Sequence, residues 1–236
     1  MKWPFSFKIK PRADDEALVE RYKEFRAAGR ALNMTLAKQL PQAAVPECGK
    51  KLGLYKAGTL ILNNDDEIAV LYDYCLRHYR RGGKNTIERH LENTPPPAES
   101  MEMALLRAML DACHSVFEIV EIHPRRGAAL KNLVSGEAID ILDISLSETG
   151  TPGTVLTGRI LSLAEFNMSS GTLIPLPREA YVEKIQPIVH KFTKSLESGH
   201  KPQLSAGQEA AYTAEILRVS LHAGGEDNVF YTDIEH

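Results

Sequence analysis

Residues 116–142, VFEIVEIHPRRGAALKNLVSGEAIDIL, decide the fold. The run from Val116 to Ile122 is rich in β-branched and aromatic side chains, which suit a pleated, half-buried surface. Pro124-Arg125-Arg126-Gly127 reads as a turn and Ser135-Gly136 as a second, hairpin-like break. Ile139 and Ile141 then alternate with Asp140, the period of a strand. Residues 154–163, 165–168 and 172–176 continue the texture, set apart by a polar loop at 145–153 and by Ser169-Ser170-Gly171. Five or six short strands in so little chain expose many edges, and a curled sheet or small barrel limits them.

Upstream of residue 116 the spacing is helical. Asp14, Asp15 and Glu16 suit the positive end of a helix that carries Leu18, Tyr22, Phe25, Leu32, Leu36 and Leu40 and stops at Pro41. Residues 41–58, with Pro41, Pro46, Gly49, Gly53 and Gly58, read as a loop. Thr59-Leu60-Ile61-Leu62 is a short strand. Asn64 with Glu67 opens a helix that runs to about Arg81 and ends on Gly82-Gly83. Asn85 with Glu88 opens a shorter one, and residues 98–115 form another, with Met101, Leu105, Ala108, Met109 and Ala112 as its buried stripe.

Downstream, Tyr181, Ile185, Ile188, Val189 and Phe192 mark a helix that Pro187 is expected to kink or split. Residues 198–202 read as a linker, and Ser205 with Gln208 starts a last helix carrying Ala210, Ala214, Leu217 and Leu221. At the N-terminus, Trp3, Phe5, Phe7 and Ile9 fall on one parity and Lys2, Ser6, Lys8 and Lys10 on the other. That predicts a strand docking on the sheet; an aromatic-basic arm is the alternative. The expected class is α+β, with helical segments flanking a small antiparallel β-barrel-like or curled-sheet module. The expected organisation is a mainly helical region over 1–115 with an N-terminal strand, the β-module over 116–176, and C-terminal helices over 177–236.

The 236 residues are 43% hydrophobic and 25% charged, enough to bury a core, and the net charge of −3 gives no global pull toward nucleic acid or membrane. Cys48, Cys75 and Cys113 are an odd, sparse set with no CxxC pair, which fits a reducing compartment and argues against a zinc ribbon. Apolar runs fall short of the roughly 18–20 residues a membrane helix needs. A cytoplasmic protein with no membrane partner is the expectation.

Candidate chemistry is sparse. Cys75 and His78 share a helix face, but two ligands do not make a zinc site, so a buried thiol and a surface imidazole are expected. Cys113 and His114 are adjacent and point a quarter-turn apart, so they form no dyad, and nothing places His123 beside them; a core cysteine is expected. Gly82-Gly83-Lys84-Asn85-Thr86 lacks the spacing of a phosphate loop. The strongest charge feature is residues 77–90, where Arg77, Arg80, Arg81, Lys84 and Arg89 face Glu88 alone. These five are the candidate contacts for an anion or nucleic acid; a solvated helix end is the plainer alternative. The β-module itself leans acidic, with seven carboxylates against Arg125, Arg126, Lys131 and Arg159, and only Phe117 and Phe166 to stack on bases.

Several runs, taken together, resemble a group of uncharacterised bacterial proteins, some of which end in a SEC-C zinc motif. They are Leu52-Gly53-Leu54, Gly58-Thr59-Leu60, Leu71-Tyr72-Asp73-Tyr74, Ser115-Val116-Phe117-Glu118-Ile119 and Leu130-Lys131-Asn132-Leu133-Val134-Ser135-Gly136-Glu137. Over residues 50–176 the resemblance implies helices followed by a small β-module. No Cys/His cluster follows residue 176, so the resemblance implies no zinc, and the group has no activity to carry over.

The leading functional expectation is a non-enzymatic cytoplasmic interaction or adaptor protein, with another protein or a second copy as partner and no catalytic, cofactor or metal residues assigned. A nucleic-acid-associated factor using the basic cluster and N-terminal lysines is the first alternative. An enzyme whose site is assembled from distant residues is the second, and a deep pocket lined by convergent titratable groups is what would favour it.

Overall fold

A computed structural model of the chain describes residues 13–193 and 204–223. The expected N-terminal strand, the linker at 198–202 and the tail after residue 223 lie outside these residues. Helix α1 (Ala13–Ala37) is followed by α2 (Ala44–Leu52), a small hairpin of β1 (Tyr55–Lys56) and β2 (Thr59–Leu60), then α3 (Asp65–His78), α4 (Thr86–Asn93) and α5 (Met101–Asp111). Next come β3 (Ser115–His123), β4 (Gly127–Asn132), β5 (Ala138–Leu142), α6 (Ile144–Thr149), β6 (Val155–Gly158), β7 (Ile160–Ser162), β8 (Asn167–Ser169) and β9 (Ile174–Leu176). The chain closes on α7 (Arg178–Ala180), a π turn (Tyr181–Ile185), α8 (Gln186–Thr193) and α9 (Ala206–Ala223). The class is α+β, and the large sheet is curled into a half-barrel.

Among the described residues, seven strands make that sheet, in the order β7-β8-β5-β4-β3-β6-β9. All its pairings are antiparallel except β5 with β8, which run parallel. The hairpin register places Ile119 opposite Leu130 and Leu130 opposite Ile139. Strands β6 and β7 stand toward opposite ends of the order, yet only Arg159 separates them in sequence. The sheet must therefore curl until its ends meet. Gly158 is fitted to that seam, because a Cβ there would lie 2.6 Å from the Thr172 carbonyl oxygen.

Buried clusters join helices to strands. Tyr22, Phe25, Leu32 and Leu36 of α1 pack with Leu105 and Leu106 of α5 against Leu142, Leu161 and Met168 of the sheet. Phe166 sits edge-on to Tyr22 and Phe25, at 6.2 and 5.6 Å between ring centres. Around the other side, Val116, Val155 and Leu176 meet Ile185, Tyr212 and Ile216 of the C-terminal helices. No helix among the described residues is long and apolar enough to cross a membrane.

Three local expectations are corrected. The stretch 41–58 is no plain loop: Pro46 lies in the first turn of α2, where its missing N–H costs nothing, and Gly53 ends that helix at φ 77°. Gly82 and Gly83 do not cap α3, which stops at His78; they form a tight turn whose flanking Arg81 and Lys84 exchange backbone hydrogen bonds of 2.9 and 3.2 Å. Within 145–153, α6 is a real helix, started by Asp143, whose Oδ1 accepts from the Leu146 N–H at 3.1 Å. The helix expected to kink or split at Pro187 is interrupted just ahead of it. The π turn ahead of it, in which Gln186 N–H reaches the Tyr181 carbonyl, absorbs the missing donor.

Candidate functional site

Helix α3 places Asp73 and Arg77 one turn apart on its inner side, the spacing at which opposite charges meet. Arg77 Nε donates to Asp73 Oδ1 at 3.0 Å, and Arg77 Nη1 donates to the Met109 carbonyl in the last turn of α5. A cation there complements the negative end of that helix. The second carboxylate oxygen, Asp73 Oδ2, accepts from Nη1 of Arg159, the residue at the sheet seam. Arg159 is 1% exposed. One carboxylate thus lies between two guanidinium groups.

The environment sets the charge states. Burial pushes the Asp73 carboxyl up, but Arg159 and Arg77 outweigh it and hold it at about 2. Burial lowers Arg159 to about 10 against the pull of Asp73, so it stays cationic at neutral pH. Two buried histidines flank the pair. Arg159 Nη2 donates to His78 Nε2 at 2.7 Å, which makes that nitrogen the unprotonated one; burial and then Arg159 depress His78 to about 2. The Thr157 hydroxyl donates to the Ser115 carbonyl at 3.1 Å, so its lone pair takes the His114 Nε2–H at 2.8 Å. His114 is neutral as well, through burial and the Arg159 charge. Three atoms around the two guanidinium groups have no hydrogen-bond partner: Arg77 Nη2, Arg159 Nε and His114 Nδ1.

Asp73 and Arg77 also line a cavity of about 670 Å³ between α1, α3, α5 and the curled sheet. The same lining carries a second charged clamp. Arg26 of α1 donates to Asp143 Oδ2 at 3.3 Å, to Ser169 Oγ at 2.9 Å and to the Ser169 carbonyl at 3.0 Å, while Ser169 Oγ donates to Asp143 Oδ2 at 2.6 Å. Leu76, Leu105, Met109, Leu161, Met168 and Leu173 give the cavity apolar surface. A volume of several hundred Å³ with apolar walls and a few fixed polar groups is what small-molecule sites have. Asp73, with both oxygens on guanidinium groups, is a weak base, so the geometry favours holding a ligand over moving its protons.

The five cations singled out in the sequence do not share a surface. Arg77 turns inward and is 6% exposed. Arg80, Arg81, Lys84 and Arg89 stay outside, around the Gly82-Gly83 turn. There Arg80 pairs with Glu88 at 3.0 Å, Lys84 with Glu92 at 2.5 Å, and Arg89 Nη2 donates to Thr86 Oγ1 at 3.0 Å. Cys75 is buried as expected, but His78 is buried too, and Cys113 is exposed instead of in the core. His123 stands apart from the Cys113–His114 step, 3.4 Å from Asp140. The sequence reading missed Asp73, Arg159, Arg26 and Asp143 as site residues. The Asp73–Arg77 spacing was a visible signal; Arg159 gave none, because it looks like one more strand cation.

Fold and site together define an α+β chain with a ligand-sized cavity between its helices and a curled sheet. The chain belongs to a family of unknown function, DUF7986, whose model matches residues 16–204. No curated protein and no solved structure matches it.

Proposed function

We propose that this chain is a small-molecule-binding protein whose ligand occupies the cavity between α1, α3, α5 and the sheet. The observation that carries the reading is Gly29. It lies in the interior of α1 and lines the cavity, and a Cβ there would meet nothing nearer than Leu105 Cδ1 at 4.0 Å. Glycine costs a helix interior about 1 kcal/mol relative to alanine. Neither backbone conformation nor packing requires it here; what it does is leave the wall open.

Dye titration tests the reading. The neutral probe N-phenyl-1-naphthylamine should bind the full chain saturably at one site. Gly29→Trp should abolish that binding with the melting temperature preserved, and Gly29→Ala should raise stability by about 0.5–1 kcal/mol. Undiminished binding to the Gly29→Trp protein would put the site elsewhere.

An interaction or adaptor role has less support, because the amphipathic faces that suggested it are used inside the chain: Leu32, Leu36, Leu105 and Leu217 all lie in buried clusters. A nucleic-acid role for Arg80, Arg81, Lys84 and Arg89 is weakened by Glu88 and Glu92, which pair with two of the four. RNA binding that falls steeply with salt would restore it. A cytoplasmic setting belongs to the same proposal and is supported by the three free cysteines.

A further inference from the structure

We infer that the ligand is an organic anion, with a carboxylate- or phosphate-type head group held at the Arg77 end of the cavity and an apolar body on the leucine and methionine wall. The inference rests on the cavity reading above and adds the chemical class of the occupant.

Charge is the first support. Lys23, Arg26, Arg30 and Arg77 line the cavity against Asp73, Asp143 and Glu148. Arg159 stands behind Asp73 and draws on the same carboxylate as Arg77. His78 and His114 are neutral and contribute neither sign. Asp73 is thus shared by two guanidinium groups: Arg77, which lines the cavity, and Arg159 behind it, on which Glu209 also acts. An excess charge in a low-dielectric setting is costly until a counter-charge arrives.

Donor count is the second support. Arg77 Nε and Nη1 are engaged, but Nη2 has no partner although the residue is 6% exposed. A guanidinium fixed on two sides, with its third donor buried and lacking an acceptor, is short of one oxyanion. The third support is the apolar wall. Leu76, Leu105, Met109 and Leu161 line the same cavity as Arg77 and offer a bare inorganic ion nothing to bury. They fit the body of an organic acid.

The test pairs the neutral dye with its anionic relative, 1-anilinonaphthalene-8-sulfonate, on the full chain at fixed ionic strength. The sulfonate should bind at least about tenfold more tightly, the scale of one charge-assisted hydrogen bond. Inorganic phosphate should displace the sulfonate and leave the neutral dye in place. Arg77→Met should bring the two dyes to equal affinity, and Arg77→Lys should keep part of the preference. Should Arg77→Met fail to fold, the phosphate competition on the unaltered protein decides. Equal affinities for the two dyes in that protein overturn the anionic head group and leave the cavity reading standing. Failure of both dyes to bind overturns the cavity reading itself. Sulfonate binding that survives Gly29→Trp marks an adventitious surface site and overturns the inference.

Discussion

Arg77 and Arg80 are three residues apart, one in the last turn of α3 and the other just past its end, and they meet opposite fates. Arg77 enters the interior, where Asp73 and the Met109 carbonyl fix it. Arg80 stays at the surface, 33% exposed, and pairs with Glu88, which is equally exposed. The residue type is the same and the distances to carboxylate are both 3.0 Å. What differs is the dielectric around the pair and the number of groups that depend on it. A surface pair gains about 0–1 kcal/mol because water already solvates both partners. In the interior, loss of one member strands the others without solvent. Bond length alone is thus a poor guide to what a charged pair does for stability.

The largest test of that contrast is Asp73→Ala. It leaves two buried guanidinium groups without their carboxylate and should cost about 3–5 kcal/mol, read as a fall in the urea midpoint. A loss near 1 kcal/mol would mean that the interior pair behaves like the surface one.

Acid should be the next largest effect. His78 and His114 are neutral in the folded protein, well below their ordinary value of 6.5, and protonate freely once unfolded. The unfolded state therefore binds more protons as pH drops below 6.5, and stability present above that value is lost on the way down. Between pH 7.5 and 5 the loss should be about 2 kcal/mol per histidine. Asp73, held at about 2 when folded, adds to the loss below about pH 4, where its unfolded form takes up a proton. Urea melts across that range measure the slope, and a fold whose stability stays flat to pH 5 contradicts the neutral buried histidines.

On the surface side, the cap should matter more than the ion pairs. Asn85 and Glu88 form a reciprocal capping box, with bonds of 2.9 and 2.6 Å between side chain and backbone. Asn85→Ala should cost about 1 kcal/mol. Arg80→Ala and Lys84→Ala should each change stability by less than about 1 kcal/mol, less still in high salt. An effect from either that rivals Asp73→Ala would erase the distinction between the two regions.

Much of this was legible in the sequence where the cause is local. Period-two alternation and turn residues marked the strands of the sheet, since a strand's two faces must differ. The pairs Asn64–Glu67, Asn85–Glu88 and Ser205–Gln208 marked helix starts, because the side chains that satisfy the first N–H groups lie within one turn. Short elements were harder. The six residues of α6 bury only Leu146, too little for a period to show, and α2 hid behind Pro46 and Gly53, which mark its two ends.

The sequence by itself determined the mixed class, most of the strands, the helix starts at Asn64, Asn85 and Ser205 and the charge of each segment, all of which depend on neighbours within a few residues. Only the tertiary structure decided which arginines are buried, that both His78 and His114 are neutral, and that a cavity opens beside Asp73. Arg159 reaches Asp73 across 86 residues of chain. That contact exists because β6 and β7 are joined by one residue and the sheet must curl to connect them. No local pattern records a contact whose cause is the closure of a sheet.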